Sequence, residues 1–171
     1  MTHDRVGLGY DVHPFGDEGT LVLGGVRFEG EPALVGHSDG DAVAHAVADA
    51  LLGPLALGDL GTRFPASDEQ HRGADSLSLL ADVAAAVAAA GWHVGNVDVV
   101  VAAERPPLAR HVEAMGDNLR AALGPALDPE RPSDLPVVTV KPKFGEGVDA
   151  VGRGEAVAVW AIALLRPDAA R

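Results

Sequence analysis

Cysteine is absent from the 171-residue sequence, and aromatic residues make up only 4% of it. A disulfide framework, a thiolate nucleophile and a cysteine-ligated metal site are therefore excluded, so any metal ion must be held by histidines and carboxylates. Basic residues are also few, with 13 Lys and Arg against 25 Asp and Glu. The net charge of −12 argues against nucleic-acid binding and against docking on anionic lipid, because both depend on Lys and Arg.

Signals for secretion and for membrane insertion are missing as well. The first residues lack a basic start followed by an apolar stretch, and no window approaches the ~20 apolar residues needed to cross a bilayer. We therefore expect a cytoplasmic protein with no membrane partner. The length suits one compact domain with its own core, so residues 1–171 are predicted to form a single domain.

Hydrophobic patterning and turn residues predict an alternation of strands and helices. Ser38 is predicted to cap the first helix, with Asp41 as its partner in a capping box. The order β-β-α-α-β-α-β-β indicates the α+β class, with helices covering one face of a mainly β layer. The predicted strands span 5–13, 20–26, 94–103, 136–141 and 155–165, the helices span 42–52, 75–90 and 108–123, and the stretches 53–73, 128–136 and 143–154 are predicted to be irregular.

Asp11 and His13 lie two residues apart on the first predicted strand. Side chains alternate along a strand, so both point to the same face and a carboxylate oxygen and an imidazole nitrogen can reach one ion. Taken alone, the pair is also explained as the polar end of a strand.

Asp41, His45 and Asp49 recur every four residues in a helix that is otherwise rich in Ala and Val, so they share one face. One interpretation is a solvated polar stripe. The other is a metal site, in which one Asp and two His supply three ligands and leave an open fourth position, as in catalytic zinc centres. The residues alone leave both interpretations open.

Two glycine-rich segments could approach a ligand closely, at residues 57–61 (LGDLG) and at 145–155. Arg153 could bind a phosphate, although the neighbouring Glu155 offers it an ion pair instead. No helix clearly follows these glycines, so a dinucleotide-binding fingerprint is rejected. Four histidines that belong to none of these clusters are interpreted as surface or packing residues, namely His3, His71, His93 and His111.

Taken together, these motifs resemble the 2-C-methyl-D-erythritol 2,4-cyclodiphosphate synthase family of the non-mevalonate isoprenoid pathway. The resemblance extends over nearly the whole chain, in the order and spacing of that family. It is carried by residues 9–13 (GYDVH), 36–41 (GHSDGD) with His45, 49–53 (DALLG), 57–61 (LGDLG) with 64–65 (FP), 95–98 (GNVD) and 152–155 (GRGE).

The resemblance implies a homotrimer of α+β subunits, with sheets that face the threefold axis and an active site in each cleft between neighbours. It places the Zn²⁺ ligands on Asp11, His13 and His45 and leaves the fourth position for a phosphate oxygen of a small phosphorylated substrate. It places a second divalent ion, Mg²⁺ or Mn²⁺, on Glu146.

The implied reaction is intramolecular phosphoryl transfer. The 2-phosphate of 4-diphosphocytidyl-2-C-methyl-D-erythritol 2-phosphate attacks the β-phosphorus, the cyclodiphosphate forms and CMP leaves. The resemblance implies catalytic roles for His37, Ser38, Asp59 and Glu146. The substrate-binding residues it implies are Asp11, His13, His37, Ser38, Asp59, Leu60, Gly61, Phe64, Asp68, Ala103, Leu108, Ala109, Lys143, Glu146 and Arg153.

Three departures from the family pattern affect the nucleotide and methylerythritol sides of the site. Residues 143–145 (KFG) stand where the family has a run of threonines, Pro107 stands in place of a lysine, and Ala66 in place of an aspartate, although Asp68 is near. Two alternatives therefore stay open. One is a paralogue that cyclises or hydrolyses a different diphosphate with the same zinc site, and the other is a non-catalytic trimeric ligand-binding protein.

Overall fold

A computed structural model describes residues 3–71, 73–127 and 137–168. The predicted loop at 128–136 lies outside the described residues. None of the helices in the described ranges is long and apolar enough to cross a membrane. The elements are β1 (Arg5–Pro14), β2 (Leu21–Leu23), β3 (Val26–Phe28), α1 (Ala42–Leu52), α2 (Leu60–Arg63), α3 (Ser76–Ala89), β4 (Trp92–Ala102), α4 (Val112–Ala122), β5 (Val138–Lys143), α5 (Asp149–Gly152) and β6 (Ala156–Pro167).

Four long strands form one mixed sheet in the order β1-β6-β4-β5. β6 runs antiparallel to both β1 and β4, whereas β4 and β5 are parallel. The helices α1 and α3 cover one face of this sheet, and their buried Leu, Val and Ala side chains form the core with those of β4 and β6. The predicted α+β class, with helices on one face of a β layer, is therefore confirmed.

The structure corrects several predicted boundaries. The single strand predicted at 20–26 is two short strands, because Gly24 and Gly25 adopt left-handed backbone angles, with φ of 55° and 71°, and form a turn. The predicted helix at 108–123 begins with a 3₁₀ turn, so α4 starts only at Val112. The segments predicted to be irregular at 53–73 and 143–154 contain the short helices α2 and α5.

Helix α1 lies directly on strand β1 because two glycines of the strand leave room for its backbone. A Cβ atom added at Gly7 would lie 1.9 Å from the carbonyl oxygen of Ala50, and one at Gly9 would lie 1.8 Å from that of Ala46. Any larger residue at either position would therefore push the helix away from the strand.

Among the described residues, nothing covers the opposite face of the sheet along β1 and β6. Large apolar side chains alternate along β1 and β6, and they are 41–68% exposed. The rings of Tyr10 and Trp160 contact each other across the two strands in a tilted arrangement, with centroids 5.3 Å apart. The other members of this exposed apolar face are Val6, Leu8, Val12 and Ile162.

Asp41 caps helix α1, so the prediction of Ser38 as the cap was wrong. The Asp41 carboxylate is fully buried and accepts the N–H groups of Val43 and Ala44, at 3.0 and 3.2 Å. It also accepts those of Gly24 and Gly25 in the β2–β3 turn, at 2.8 and 2.7 Å. One side chain thus satisfies four backbone donors and joins the hairpin to the start of the helix.

We expect Asp41→Ala to lower the free energy of unfolding by at least ~3 kcal/mol, because each buried donor without a partner costs about 1–3 kcal/mol. Urea denaturation of the full chain measures this. The control is Asp75→Ala at the exposed cap of α3, where water can replace the carboxylate and a loss of ~1 kcal/mol is expected. Equal losses in the two variants would contradict the role given to Asp41.

Candidate metal centre and adjoining pocket

The side chains of Asp11, His13 and His45 converge at the point where β1 and α1 meet. The Asp11 Oδ2 atom lies 2.9 Å from His13 Nε2 and 3.0 Å from His45 Nδ1. One ligand atom from each residue lies within 4.8 Å of the other two, which is close enough for all three to bind one ion. The predicted convergence of these residues is confirmed.

The second ring nitrogen of each histidine contacts a polar group of the protein. His13 Nδ1 lies 2.5 Å from the carbonyl oxygen of Val35, which can only accept, so this nitrogen carries the proton. His45 Nε2 lies 3.0 Å from the hydroxyl oxygens of both Ser38 and Ser76. Each imidazole is thus held through one nitrogen and turns the other toward Asp11, as metal-binding histidines do.

The pKa values of Asp11 and His13 are shifted by the neighbouring groups of the cluster. Burial alone would raise the pKa of the Asp11 carboxyl, but hydrogen bonds and charges of the two histidines outweigh it and lower this pKa to about 2. The hydrogen bond to Asp11 raises the pKa of His13 above its ordinary value, against the opposing effect of burial. Asp11 is therefore an anion at neutral pH, as a metal ligand must be.

The two aspartates that flank His45 in the helix do not join the cluster. Asp41 points into the core as the helix cap, and the Oδ1 atom of Asp49 accepts the backbone N–H of Leu60 at 2.7 Å. The prediction that all three residues form one ligand-bearing or solvated face was therefore wrong. Asp49 instead attaches the loop that carries Asp59 to helix α1.

A cavity of about 170 Å³ adjoins the three ligands. His71 lies in its wall and packs edge-on against the ring of Phe64, with centroids 5.2 Å apart, so sequence reasoning missed a pocket residue when it treated this histidine as a surface or packing residue. The sequence signal for this role is that His71 follows the Phe-Pro motif at residues 64–65, which the resemblance places at the pocket. The wall consists of His13, His37, Ser38, His45, Leu60, Gly61, Phe64, His71 and Leu79.

Two further predicted residues lie at the margin of this cavity. Asp59 caps α2, is exposed and accepts the N–H of Thr62 at 2.6 Å, which lowers the pKa of its carboxyl. Asp68 approaches the site through its backbone, since its carbonyl oxygen lies 3.3 Å from His37 Nε2.

The remaining predicted residues form a second group at the ends of β4 and β5. In the sheet, Val12 lies level with Ala158, which lies level with Ala102 and then Lys143. Three strand spacings of ~4.8 Å therefore separate the two groups by ~14 Å at the same end of the sheet. One chain does not bring the groups together. The second group comprises Ala103, Leu108, Ala109, Lys143, Glu146 and Arg153.

Several members of the second group have side chains that are already engaged. Ala103 and Leu108 are buried, so only their backbone is available to a ligand. The guanidinium of Arg153 donates two 2.9 Å hydrogen bonds to Glu155, which is the ion pair that the sequence offered. Glu146 is exposed, with a left-handed φ of 54°.

Gly145 packs against another glycine of the same loop. A Cβ atom on Gly145 would lie 2.4 Å from the backbone nitrogen of Gly152, so a threonine does not fit there. The threonine of the family pattern is thus excluded by backbone contact at this position, which makes the loop a genuine variant of that pattern.

Comparison with known proteins identifies the family. The family model described as the YgbB family matches residues 4–166. The chain belongs to the YgbB family. The match includes the three converging ligands, the cavity and the second group of residues, so both groups are parts of one family domain.

Named relatives in the YgbB family agree with the resemblance found in the sequence. The 2-C-methyl-D-erythritol 2,4-cyclodiphosphate synthase of Thermosynechococcus vestitus is 48% identical over 166 residues, which cover 97% of this chain and 98% of that protein. IspF of Plasmodium falciparum, solved as a CDP complex, has a TM-score of 0.80 at 29% identity and covers 97% of both chains. These matches confirm the family assignment and the fold.

A bifunctional enzyme contains the same fold as part of a longer chain. The bifunctional IspDF from Campylobacter jejuni has a TM-score of 0.86 at 34% identity over 96% of this chain. This chain spans 42% of the length of that enzyme, so the comparison concerns one part of it.

We expect His45→Ala to lower zinc affinity by roughly 100-fold or more, since loss of a ligand exceeds the usual effect of outer-shell changes. Zinc content after dialysis, measured by mass spectrometry, checks this, and the melting temperature reports on folding. The matched control is His93→Ala, because His93 pairs with Asp168 at 2.7 Å away from the cluster. Full zinc occupancy in His45→Ala would refute the ligand assignment.

Proposed function

We propose that this chain is a lyase that converts 4-diphosphocytidyl-2-C-methyl-D-erythritol 2-phosphate into 2-C-methyl-D-erythritol 2,4-cyclodiphosphate with release of CMP. The observation that carries the proposal is the convergence of Asp11, His13 and His45 beside a small cavity. It is supported by a relative of that name with 48% identity over nearly the full length of both proteins.

The donor set suits the metal that we propose. Two imidazoles and one carboxylate are a ligand set of catalytic Zn²⁺ sites, which keep an open fourth position. When bound, zinc would supply a Lewis acid that polarises a phosphoryl oxygen. We propose that Glu146, which is exposed on its loop, holds a second divalent ion, Mg²⁺ or Mn²⁺.

The chemistry needs alignment rather than a protein nucleophile, because the substrate supplies its own attacking phosphate. Two anionic groups must come together, so their charge must be neutralised and their motion restricted. His37 and Ser38 lie in the cavity wall, where an imidazole N–H and a hydroxyl can donate hydrogen bonds to phosphate oxygens. We propose that these two residues orient the phosphates.

The other wall of the cavity fits the carbon skeleton of methylerythritol. Leu60, Gly61, Phe64 and Leu79 provide apolar surface, and the exposed carboxylate of Asp59 stands near it to accept hydrogen bonds from sugar hydroxyls. The hydrogen bond from the Leu60 N–H to Asp49 fixes this loop to the helix that carries His45. Helix α1 therefore holds both the metal ligand His45 and, through Asp49, the loop that forms the sugar side of the cavity.

We further propose a homotrimer with an active site in each cleft between neighbours. The exposed apolar face of β1 and β6 requires a partner in water, since antiparallel sheets normally expose a polar face. The ~14 Å between the two groups of predicted residues also fits a site assembled from two chains, with the cavity of one chain facing Lys143, Glu146 and Arg153 of the next. A cytoplasmic location stays a prediction from the sequence.

A paralogue with the same metal centre but a different diphosphate substrate is the second candidate. The contact between Gly145 and Gly152 leaves no room for a threonine hydroxyl at the phosphate loop. Pro107 and Ala66 likewise remove polar groups that the family pattern would supply. These three differences affect the nucleotide and sugar sides and leave the three ligands unchanged.

We expect the purified 171-residue chain with Zn²⁺ and Mg²⁺ to release CMP and form the cyclodiphosphate from the diphosphocytidyl substrate, as followed by mass spectrometry. The diphosphouridyl analogue is the matched substrate, and a cytidine-specific site should turn it over at least ~10-fold more slowly, the equivalent of about 1.4 kcal/mol. Turnover of another diphosphate alone would favour the paralogue. Binding without any turnover would favour a ligand-binding protein.

We expect sedimentation equilibrium to give a mass three times that of the 17.5 kDa chain. Leu8→Asp should dissociate this species, because Leu8 lies opposite Ile162 in the middle of the exposed apolar face. Ala85→Asp is the control, since Ala85 is exposed on α3 on the other side of the molecule. A monomeric wild-type protein would contradict the proposed assembly.

A further inference from the structure

Ser76, the first residue of helix α3, is a buried polar residue outside the ligand set, with 1% of its surface exposed. Its hydroxyl donates a hydrogen bond to the Oδ1 atom of Asp39, and its backbone N–H donates to Oδ2 at 3.2 Å. Asp39 also accepts the backbone N–H of Asp41 at 3.1 Å. The carboxylate is therefore fixed on several sides and points at the hydroxyl of Ser76.

The direction of these hydrogen bonds determines the tautomer of His45. A serine hydroxyl has one proton, and a carboxylate can only accept, so the Ser76 proton points to Asp39. The same oxygen lies 3.0 Å from His45 Nε2 and must therefore accept a proton from it. His45 therefore keeps its proton on Nε2 when Nδ1 exchanges its hydrogen bond with Asp11 for an ion, so the lone pair of Nδ1 is the one available to the metal.

Ser38 contacts the same nitrogen but does not have the same constraint. Its oxygen lies 3.0 Å from His45 Nε2 and 3.2 Å from the Ser76 oxygen, and it accepts the N–H of Gly40 at 3.3 Å. None of these contacts is with a carboxylate, so they do not commit its proton to one direction. Ser38 also lines the cavity, where it can turn its proton to a ligand.

We propose that Asp39 and Ser76 form a positioning pair that orients His45 for the metal, an inference that rests on the metal centre of the proposed function. The negative charge of Asp39 acts through the hydroxyl of Ser76 and favours the Nε2–H tautomer of His45. It thereby makes the lone pair of Nδ1 a stronger ligand for the metal ion. The pair also ties helix α3 to the ligand-bearing helix. With the second nitrogen of His45 already satisfied by Ser76, the hydroxyl of Ser38 stays available to substrate.

The test is the affinity of the metal-free full chain for Zn²⁺, measured by competition with a chromophoric chelator. Loss of an outer-shell partner typically weakens metal binding by 10–100-fold, and this range is expected for Ser76→Ala. Thr and Val have nearly the same shape, but only Thr keeps the hydroxyl. Ser76→Thr should therefore bind zinc much more tightly than Ser76→Val. Ser78→Ala is the control, because Ser78 is exposed on the same helix and its hydroxyl donates a hydrogen bond to the cap residue Asp75.

Asp39→Asn extends the test to the second member of the pair. If the two residues act as one unit, Asp39→Asn should weaken zinc binding alone but add little in the Ser76→Ala background. Thermal unfolding of every variant separates lost folding from lost affinity. If Ser76→Thr does not fold, Ser76→Ala and its combination with Asp39→Asn still test the proposal.

The outcomes separate this inference from the proposed metal centre. If Ser76→Ala binds zinc as tightly as the wild-type protein, or Thr and Val variants bind equally, the positioning role is refuted while the metal centre stands. If the wild-type protein itself binds no zinc, both fail.

Discussion

The direct contact between the backbones of α1 and β1 is the constraint on which the site depends. Gly7 and Gly9 let the helix approach until its carbonyl oxygens occupy the space that a Cβ atom would need. At this separation the imidazole of His45 reaches the carboxylate of Asp11 at 3.0 Å. A side chain at either glycine would move the helix outward by more than the margin that metal coordination allows, because ligand distances vary by only ~0.2 Å.

Three aspartates hold this arrangement by accepting backbone N–H groups, each at a different junction. Asp41 joins the β2–β3 turn to the start of α1, Asp39 joins the loop before α1 to the start of α3, and Asp49 joins the start of α2 to α1. A carboxylate removed from water is costly unless it is hydrogen-bonded; Asp41 is fully buried, Asp39 and Asp49 are partly buried, and all three accept backbone N–H groups. The acidic composition near the site is therefore largely structural.

Strand geometry placed Asp11 and His13 on one face, and the resemblance to the synthase family added His45 as the third proposed ligand; the structure brings the three side chains together. The two-residue spacing of Asp11 and His13 determines a shared face, whereas the position of α1 on β1 is known from the structure, through the close contacts at Gly7 and Gly9. The four-residue spacing on α1 misassigned Asp41 and Asp49, since spacing gives the direction of a side chain but not which backbone donor it meets. His71 and Ser76 were missed for a related reason, because their roles depend on how an irregular loop and a distant helix start fold back onto the site.

The composition of the cavity explains why an acidic protein needs metal ions for the proposed reaction. Among the described residues of its wall, four are histidines and none is Lys or Arg, so the fixed positive charge that would balance phosphates is small. Lys143 and Arg153 belong to the other group of residues, ~14 Å away in the same chain, and Arg153 is already paired with Glu155. In the proposed reaction, neutralisation of the anionic substrate would therefore fall to the proposed divalent ions and to the neighbouring chain of the proposed trimer. The proposed metal centre and the proposed trimer therefore meet the same need, which is positive charge to balance the phosphates of the substrate.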